Sequence, residues 1–421
     1  MRRPTAGITP KANQKIGLAR LERMLQVTYG ALAFAEAHGY KTYDVSDAKG
    51  IPIVLWTFTQ RSFASRALRL ALYGGMFLAP IGFRKLFGVR PTRYPHASAM
   101  LACAYVELSK MTGETLWFLQ ARSLLDWLAE NTAQSPIGES WGFPFPWFSY
   151  GGVIPTTAGN AHGTIWAANA FLLYYRATGA AWALEHANRA CDFLARGLNY
   201  TEHASGSLSS SYTALDRSQC FNANAESASV LLRLGGQISN TKYCEIGQRM
   251  MAFVIENQNQ DGSWNYDAPL PGHAWSPNID GFHTGMVLSA LVQCVALRAS
   301  VGDLAGRCVA ALNKGLDFYL KNLFTADGKP LYAVRKLYPM DPYSFAQAMI
   351  TLVDVCECDS VDSALRRQAD NAMHAVADRT IDLMMDPEGS FVTSRYPIGA
   401  IRLKSLRWAQ AVLSLAFARY S

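Results

Sequence analysis

From Tyr94 onward the chain repeats itself, and a repeat of this length leaves few folds open. An apolar helical stretch ends in a short turn, Met111-Thr-Gly-Glu, and an amphipathic stretch begins near Trp117. The same punctuation returns at Ala177-Thr-Gly-Ala before Trp182, at Ile238-Ser-Asn-Thr before Tyr243, at Ser300-Val-Gly-Asp and, in weaker form, at Glu357-Cys-Asp-Ser. The markers Gly113, Gly179, Asn240, Gly302 and Cys358 lie 66, 61, 62 and 56 residues apart by subtraction. Each step has room for one antiparallel helical hairpin and a return loop.

The first helix of each hairpin is apolar nearly all round, over residues 97–110, 163–175, 223–234, 282–297 and 343–355, whereas its partner carries charges on one face, as in 115–130 and 242–258. A helix apolar all round belongs inside and an amphipathic one outside. Residues 403–420 offer a sixth inner helix, and a helix over about 15–38 can be its outer partner. These features predict an all-α chain, an (α/α)6 toroid of six helical hairpins over 94–421, preceded by a region 1–93 that holds a loose leader (1–14), the closing helix and a basic, apolar segment. Asp-Gly steps followed by alternation, at Asp261-Gly and Asp327-Gly, predict short β-hairpin excursions in the return loops.

Composition narrows the function. Half of the residues are hydrophobic and 17% are charged, enough for a large core and against disorder. Net charge is +7, yet no Lys/Arg block or nucleic-acid motif accompanies it, so no nucleic-acid partner is expected. The eight cysteines are scattered in apolar stretches without paired metal-ligand spacing, as expected of buried thiols in a reducing compartment. With no secretory h-region and no apolar run of about 18 residues, a soluble cytoplasmic location is expected. Residues 51–93 mix rings and aliphatics with Arg61, Arg66, Arg69, Arg84, Lys85 and Arg90, a pattern open to two readings: peripheral contact with a membrane, or a helix packed on the body with its arginines in water.

The residues that enter each inner helix are polar: Tyr94-Pro-His96, Asn160-Ala-His162, Asn222-Ala-Asn224-Ala-Glu226, Asp280-Gly-Phe-His283-Thr284, Asp341-Pro-Tyr343-Ser344, and Arg402 with Arg407-Trp408-Ala-Gln410. In a toroid they meet in one funnel. Asn, Asp and Ser are also ordinary N-caps, and Asp341-Pro342 has the grammar of a helix start. Capping does not account for the histidines, or for the rings Trp141, Trp147, Trp264 and Tyr266 in the loops. Asp280 and His283, three apart, share one side of a first helical turn, and a neutral imidazole beside a carboxylate suits proton transfer. Tyr212, Asp216 and Arg217 form a second candidate cluster, with Asp216 as acid or base and Arg217 as a fork for a substrate carboxylate. Tyr338 and Asp341, with Arg335 and Arg402, add phenol, acid and cations to the same mouth. A site rich in Arg, Tyr and His fits an anionic sugar, whereas an inverting hydrolase needs two carboxylates about 6.5–9.5 Å apart, which Asp216, Glu226, Asp280 or Asp341 can supply. No metal motif, P-loop or Gly-x-Ser-x-Gly elbow is present, so neither metal nor cofactor is expected.

Gln258-Asn-Gln-Asp-Gly-Ser-Trp264 resembles the glutamine-tryptophan repeat of terpene cyclases, without their Asp-x-Asp-Asp acid. A closer resemblance, from about Tyr94 to the end, is to a family of bacterial proteins encoded among capsule and exopolysaccharide biosynthesis genes. It rests on Trp141-Gly-Phe-Pro-Phe-Pro-Trp147, Tyr212-Thr-Ala-Leu-Asp-Arg-Ser-Gln219 with Asn222-Ala-Asn224, the 258–264 stretch, Ile279-Asp-Gly-Phe-His-Thr-Gly285, Leu337-Tyr-Pro-Met-Asp341 and Arg407-Trp-Ala-Gln410. The resemblance implies a six-hairpin barrel and a carbohydrate substrate. Asp280-Gly-Phe-His283-Thr284 also resembles the Asp-Tyr-His-Thr stretch of glucuronyl C5-epimerases. The expectation is therefore an enzyme of surface-polysaccharide synthesis acting on an acidic oligo- or polysaccharide. Its catalytic candidates are His283, Asp280, Asp216, Tyr212, Tyr338 and Asp341. Candidates for holding substrate are Trp141, Trp147, His162, Arg217, Asn222, Asn224, Trp264, Tyr266, Thr284, Arg335, Arg402, Trp408 and Gln410. Uronyl epimerase or lyase chemistry, glycoside hydrolysis and a non-catalytic glycan-binding scaffold all remain open at this point.

Overall fold

A computed structural model describes residues 12–60, 62–149, 152–270, 275, 277–297 and 301–421. Most of the expected leader (1–11), with Arg61 and Ser300, lies outside the described residues. The helices run α1 (Ala12–Ala37), α2 (Pro52–Thr59), α3 (Phe63–Leu78), α4 (Pro80–Leu86), α5 (Pro95–Thr112), α6 (Leu116–Glu130), α7 (Ala161–Thr178) and α8 (Ala181–Arg196). They continue as α9 (Phe221–Ile238), α10 (Thr241–Glu256), α11 (Gly281–Val295), α12 (Leu304–Asn322), α13 (Pro342–Cys356), α14 (Ser363–Met384) and α15 (Ala411–Tyr420), the last entered through a π-turn over Leu406–Gln410.

The inner ring is α5, α7, α9, α11, α13 and α15; each helix packs on the next, and α15 returns to α5. Burial follows the sequence. Every residue of α13 from Pro342 to Val355 is buried, whereas α14 outside it buries only the stripe Ala369, Val376, Ala377, Thr380, Ile381 and Met384. A buried leucine such as Leu352 contributes about 2–5 kcal/mol relative to alanine in a core of this kind. The outer ring is α6, α8, α10, α12, α14 and α1, with α1 lying on α15. Sharp hairpin turns follow from left-handed C-caps at Gly113 and Gly179, a conformation glycine adopts without a Cβ penalty. In the third hairpin that role falls to Ser239, and the marker Asn240 instead caps α10 by accepting from Tyr243 N.

Paired strands form in three return loops, Trp147–Ser149 with Gly152–Ile154, Tyr200–Glu202 with Leu208–Ser210, and Ser394–Tyr396 with Gly399–Ile401. The Asp261-Gly and Asp327-Gly loops, expected to be hairpins, make tight turns without a strand ladder. Asn259 N donates to Ser263 O (2.9 Å) and Thr325 N to Lys329 O (2.9 Å). The chain then dives inward at Trp264 instead of pairing.

Candidate active site

All six inner helices turn their N-termini to one end of the ring. The side chains that cap them also shape the mouth: Asn160 Oδ1 accepts from Gly163 N (2.8 Å), Asp280 Oδ1 from His283 N (2.9 Å), Asp341 Oδ1 from Ser344 N (3.1 Å) and Ser405 Oγ from Trp408 N (3.2 Å). Within the first turn of these helices the chain presents His162, Asn222, Phe282, His283, Tyr343 and Arg407. These residues line a cavity of about 300 Å³ together with Trp147, Tyr212, Tyr266 and Trp408.

Asp280 spends one oxygen on the cap and the other on the ring of His283, with Oδ2 2.7 Å from Nδ1; Asn278 Nδ2 donates to that same oxygen (3.3 Å). An ionised carboxylate only accepts hydrogen bonds, so Nδ1 carries the hydrogen and donates it, and Nε2 of the neutral ring is left with its lone pair. The imidazole is fixed between Phe282 and Tyr266, whose ring centroids lie 3.8 and 4.5 Å away.

Deeper in, the Tyr343 hydroxyl lies between His96 Nε2 (3.4 Å) and His162 Nε2 (3.5 Å), and His162 Nδ1 lies 3.7 Å from Glu226 Oε2. Burial, then the neighbouring His162 and Arg407, hold His96 well below the ordinary imidazole range. Burial, then Glu226, pushes the Tyr343 phenol well above its ordinary value. His96 Nδ1, His162 Nδ1, Asn222 Oδ1 and Glu226 Oε2 have no hydrogen-bond partner among the described residues. Buried polar atoms are seldom left so, and these four are able to exchange hydrogen bonds with water or with a ligand's polar groups.

The N-terminal region completes the mouth, a contribution with no sequence motif to announce it. Arg407 makes a bidentate pair with Asp44 (Nε to Oδ2 2.9 Å, a terminal nitrogen to Oδ1 2.6 Å), and Arg84 Nε binds Asp47 Oδ1 at 2.6 Å. These two buried pairs fix the turn Asp47–Gly50, which sets Ser46 and Lys49 on the rim of the cavity. Lys49 has no carboxylate partner among the described residues. Partial desolvation, then the Arg407 cation, pulls its amine below the ordinary lysine range, with Asp44 opposing. Phe143, Phe145, Phe148 and Met286 add further apolar lining that sequence reasoning did not single out.

No protein-family model matches the chain, and no curated protein does. Solved structures match the architecture. Cellobiose 2-epimerase from Bacillus thermoamylovorans B4167 aligns at a TM-score of 0.59 and 12% identity over 78% of this chain and 88% of that one. An inactive variant of the α-1,6-mannanase GH76A of Salegentibacter sp. HEL1_6, in complex with α-1,6-mannotriose, aligns at 0.58 and 12% over 79% and 90%. A polysaccharide lyase aligns at 0.56 and 11% over 78% and 90%. At these identities the likeness shows the fold, the (α/α)6 barrel of six helical hairpins.

Several expected site residues are placed elsewhere. Asp216 is a loop staple: Oδ1 accepts from Tyr212 N, Ser218 N and Ser218 Oγ, and Oδ2 from Thr213 N and Thr213 Oγ1, so both oxygens are spent. Asn224 clamps Ser210 and the Cys220 carbonyl, Gln410 brackets the backbone of Phe391 from both sides, and Thr284 Oγ1 donates to Asp280 O (2.7 Å). Trp141 and Trp264 are core residues. Their indole N–H groups donate at 2.9 Å to Leu128 O and Val254 O, carbonyls in the last turns of α6 and α10, where Leu128 O also accepts from the cap Asn131 N (3.1 Å). A Cβ at Gly315 would lie 2.6 Å from the Trp264 ring, so that indole is packed as well as bonded. Arg217, Arg335, Arg402 and Tyr338 are exposed and do not line the cavity. Asp341 faces an adjoining cavity of about 460 Å³, which shares Ser46, Lys49 and Trp408 with the first. Burial, opposed by its bonds to Ser344, raises its carboxyl to about 6.

Proposed function

We propose that this protein is a carbohydrate-active enzyme of surface-polysaccharide synthesis that moves a proton at the sugar carbon next to a uronic-acid carboxylate. One observation carries the choice of chemistry. Among the described residues no Asp or Glu lines the cavity that His283 enters, Glu226 lying behind His162, whereas one carboxylate, Asp280, sits behind His283 and orients it. Two carboxylates facing a glycosidic bond are the requirement of most glycoside hydrolases. An imidazole with its Nε2 free is the requirement of carbon-acid chemistry.

In this reading His283 Nε2 takes the proton from C5, and the electron pair delocalises into the substrate carboxylate, steadied by Lys49 and the Arg407 guanidinium. Return of a proton to the opposite face from a phenol such as Tyr343 or Tyr212 gives the epimer. Loss of the C4 substituent with that electron pair gives an unsaturated sugar. Trp147, Tyr266 and Trp408 supply flat faces for the rings of the glycan, and His162 and Asn222 supply polar atoms for its hydroxyls. The resemblance to capsule and exopolysaccharide proteins supports a polymer or oligomer as substrate, acted on in the cytoplasm.

The carboxyl of Asp341, raised to about 6 at the edge of the adjoining cavity, supports a second reading as a hydrolase in which Asp341 donates a proton to the leaving oxygen. Incubation with acidic and neutral polysaccharides in deuterated water separates the two. Deuterium at C5 with the chain intact, or cleavage with an unsaturated end, supports the first reading. Cleavage with a saturated end and no deuterium on carbon replaces it by the second, and binding without turnover leaves only a glycan-binding scaffold.

A further inference from the structure

Residues 51–93 contain seven of the chain's 39 basic residues and none of its 32 acidic ones, so the formal charge of +7 resides in this segment and the remainder is balanced. Helices α2 to α4 fold it around a small core of its own, Ala48, Ile51, Val54 and Phe83, with Phe58, Leu72 and Met76 against it. That core uses one face of α3. The other face, Phe63, Ala67, Leu70, Gly74 and Leu78 at helical spacing, points away from the body, with Phe63 87%, Leu70 73% and Leu78 83% exposed. On α4 Leu86 is 79% exposed. The cations are divided: Arg84 is buried against Asp47 and Arg69 lies over the Phe58 ring at 4.7 Å, whereas Arg66, Lys85 and Arg90 stand in water. These three flank the exposed apolar side chains.

The patch continues onto the rim of the site. Phe58 stacks on Phe148 of the first loop hairpin (6.0 Å between centroids), and Phe77 meets Tyr396 of the third (5.4 Å), whose tip carries the exposed Ile398. Tyr73 and Met76 of α3 line the cavity that adjoins the catalytic one.

We propose that α2–α4, with Phe148 and Ile398 of these two hairpins, form a surface that seats on an anionic lipid bilayer, with leucine and phenylalanine side chains at the acyl boundary and Arg66, Lys85 and Arg90 among the headgroups. No helix among the described residues is long and apolar enough to cross a membrane, so the contact is interfacial. Charge selects this occupant: an apolar face edged with unpaired cations and no acid matches a negatively charged surface, and each such cation is worth about fivefold in partitioning to one. The inference is independent of the chemistry proposed above, because its readout is binding.

The test is sedimentation of the full chain with vesicles of phosphatidylcholine alone and of phosphatidylcholine with phosphatidylglycerol, at low and high salt. The expected result is binding to the anionic vesicles alone, weakened by salt. The double variant Leu70→Glu/Leu78→Glu is expected to lose at least about tenfold in binding with an unchanged thermal transition, since both side chains stand in solvent, and Arg66→Glu to lose several-fold. Absence of binding to anionic vesicles, or equal binding by the double variant, overturns the proposal. So does a wild-type dimer that the double variant converts to monomer, which would assign the face to a second copy of this chain.

Discussion

Asp280 and His283 are joined twice, once through the backbone N–H of His283 (2.9 Å) and once through its ring Nδ1 (2.7 Å), so one carboxylate both starts a helix and sets a tautomer. Asparagine caps as well as aspartate does, but its amide N–H pointed at Nδ1 would push the ring hydrogen to Nε2 and remove the base. Asp280→Asn is therefore expected to unfold within about 0.5 kcal/mol of the parent while losing about 10²–10⁴ in turnover, and His283→Ala is expected to lose as much. Urea titration beside solvent-deuterium incorporation checks the pair, and full turnover in either variant would remove the dyad from the mechanism.

Asp44→Ala leaves the Arg407 guanidinium buried without its bidentate partner, which is expected to cost about 3–5 kcal/mol. A matched apolar pair, Asp44→Leu with Arg407→Met, is expected to recover most of that stability yet not the activity, since Ser46 and Lys49 lose their anchor. Chemical denaturation of the single and double variants gives the answer.

Stability should carry the signature of Asp341. Its carboxyl sits at about 6 in the folded protein against an ordinary 3.8, so the native state holds the proton more tightly than the unfolded chain does. The stabilisation from that proton is fully present below an ordinary aspartate's range and is lost as pH rises through about 6. A rise of about 2.2, at about 1.4 kcal/mol per tenfold, bounds the effect at about 3 kcal/mol. Asp341→Asn keeps the cap to Ser344 and should abolish this part of the pH dependence. Unfolding free energies of both proteins from about pH 4 to pH 7 would disprove the assignment if their difference stayed constant.

The two kinds of tryptophan should separate in one experiment. Trp264→Phe strands the Val254 carbonyl and is expected to cost about 1–3 kcal/mol of stability with glycan affinity unchanged. Trp147→Ala should leave stability nearly intact and weaken glycan binding by about fivefold. Thermal melting and calorimetric titration with an acidic oligosaccharide measure both.

The ring was legible in the sequence because burial imposes it locally: α13 is apolar on every side and α14 on one, and no other packing satisfies that alternation. The mouth was legible only in part. Asp216, Asn224 and Gln410 stand in polar motifs beside His283 and Trp147, and a chain that must satisfy loop carbonyls and amides uses the same residue types as a chain that must bind sugar. Which oxygens are already taken is a three-dimensional fact, as at Asp216, where both are. Lys49 was invisible for the opposite reason: its turn carries no motif, and what brings it to the mouth is a pair of ions formed with Arg84 and Arg407, the second from the far end of the fold.

Five of the six hairpins join helices that are consecutive in the chain. The sixth, α1 against α15, is joined only through space, so the ring is a split washer whose cut lies beside Trp408. Widening that cut would part α1 from α15, while the Asp44–Arg407 pair keeps Arg407 and Trp408 beside the Lys49 turn. The amide protons of α1 and α15 should therefore exchange sooner than those of α9 and α10. Breathing of this one joint would loosen the wall of the sixth hairpin and leave the outline of the mouth to the ion pairs of Arg84 and Arg407.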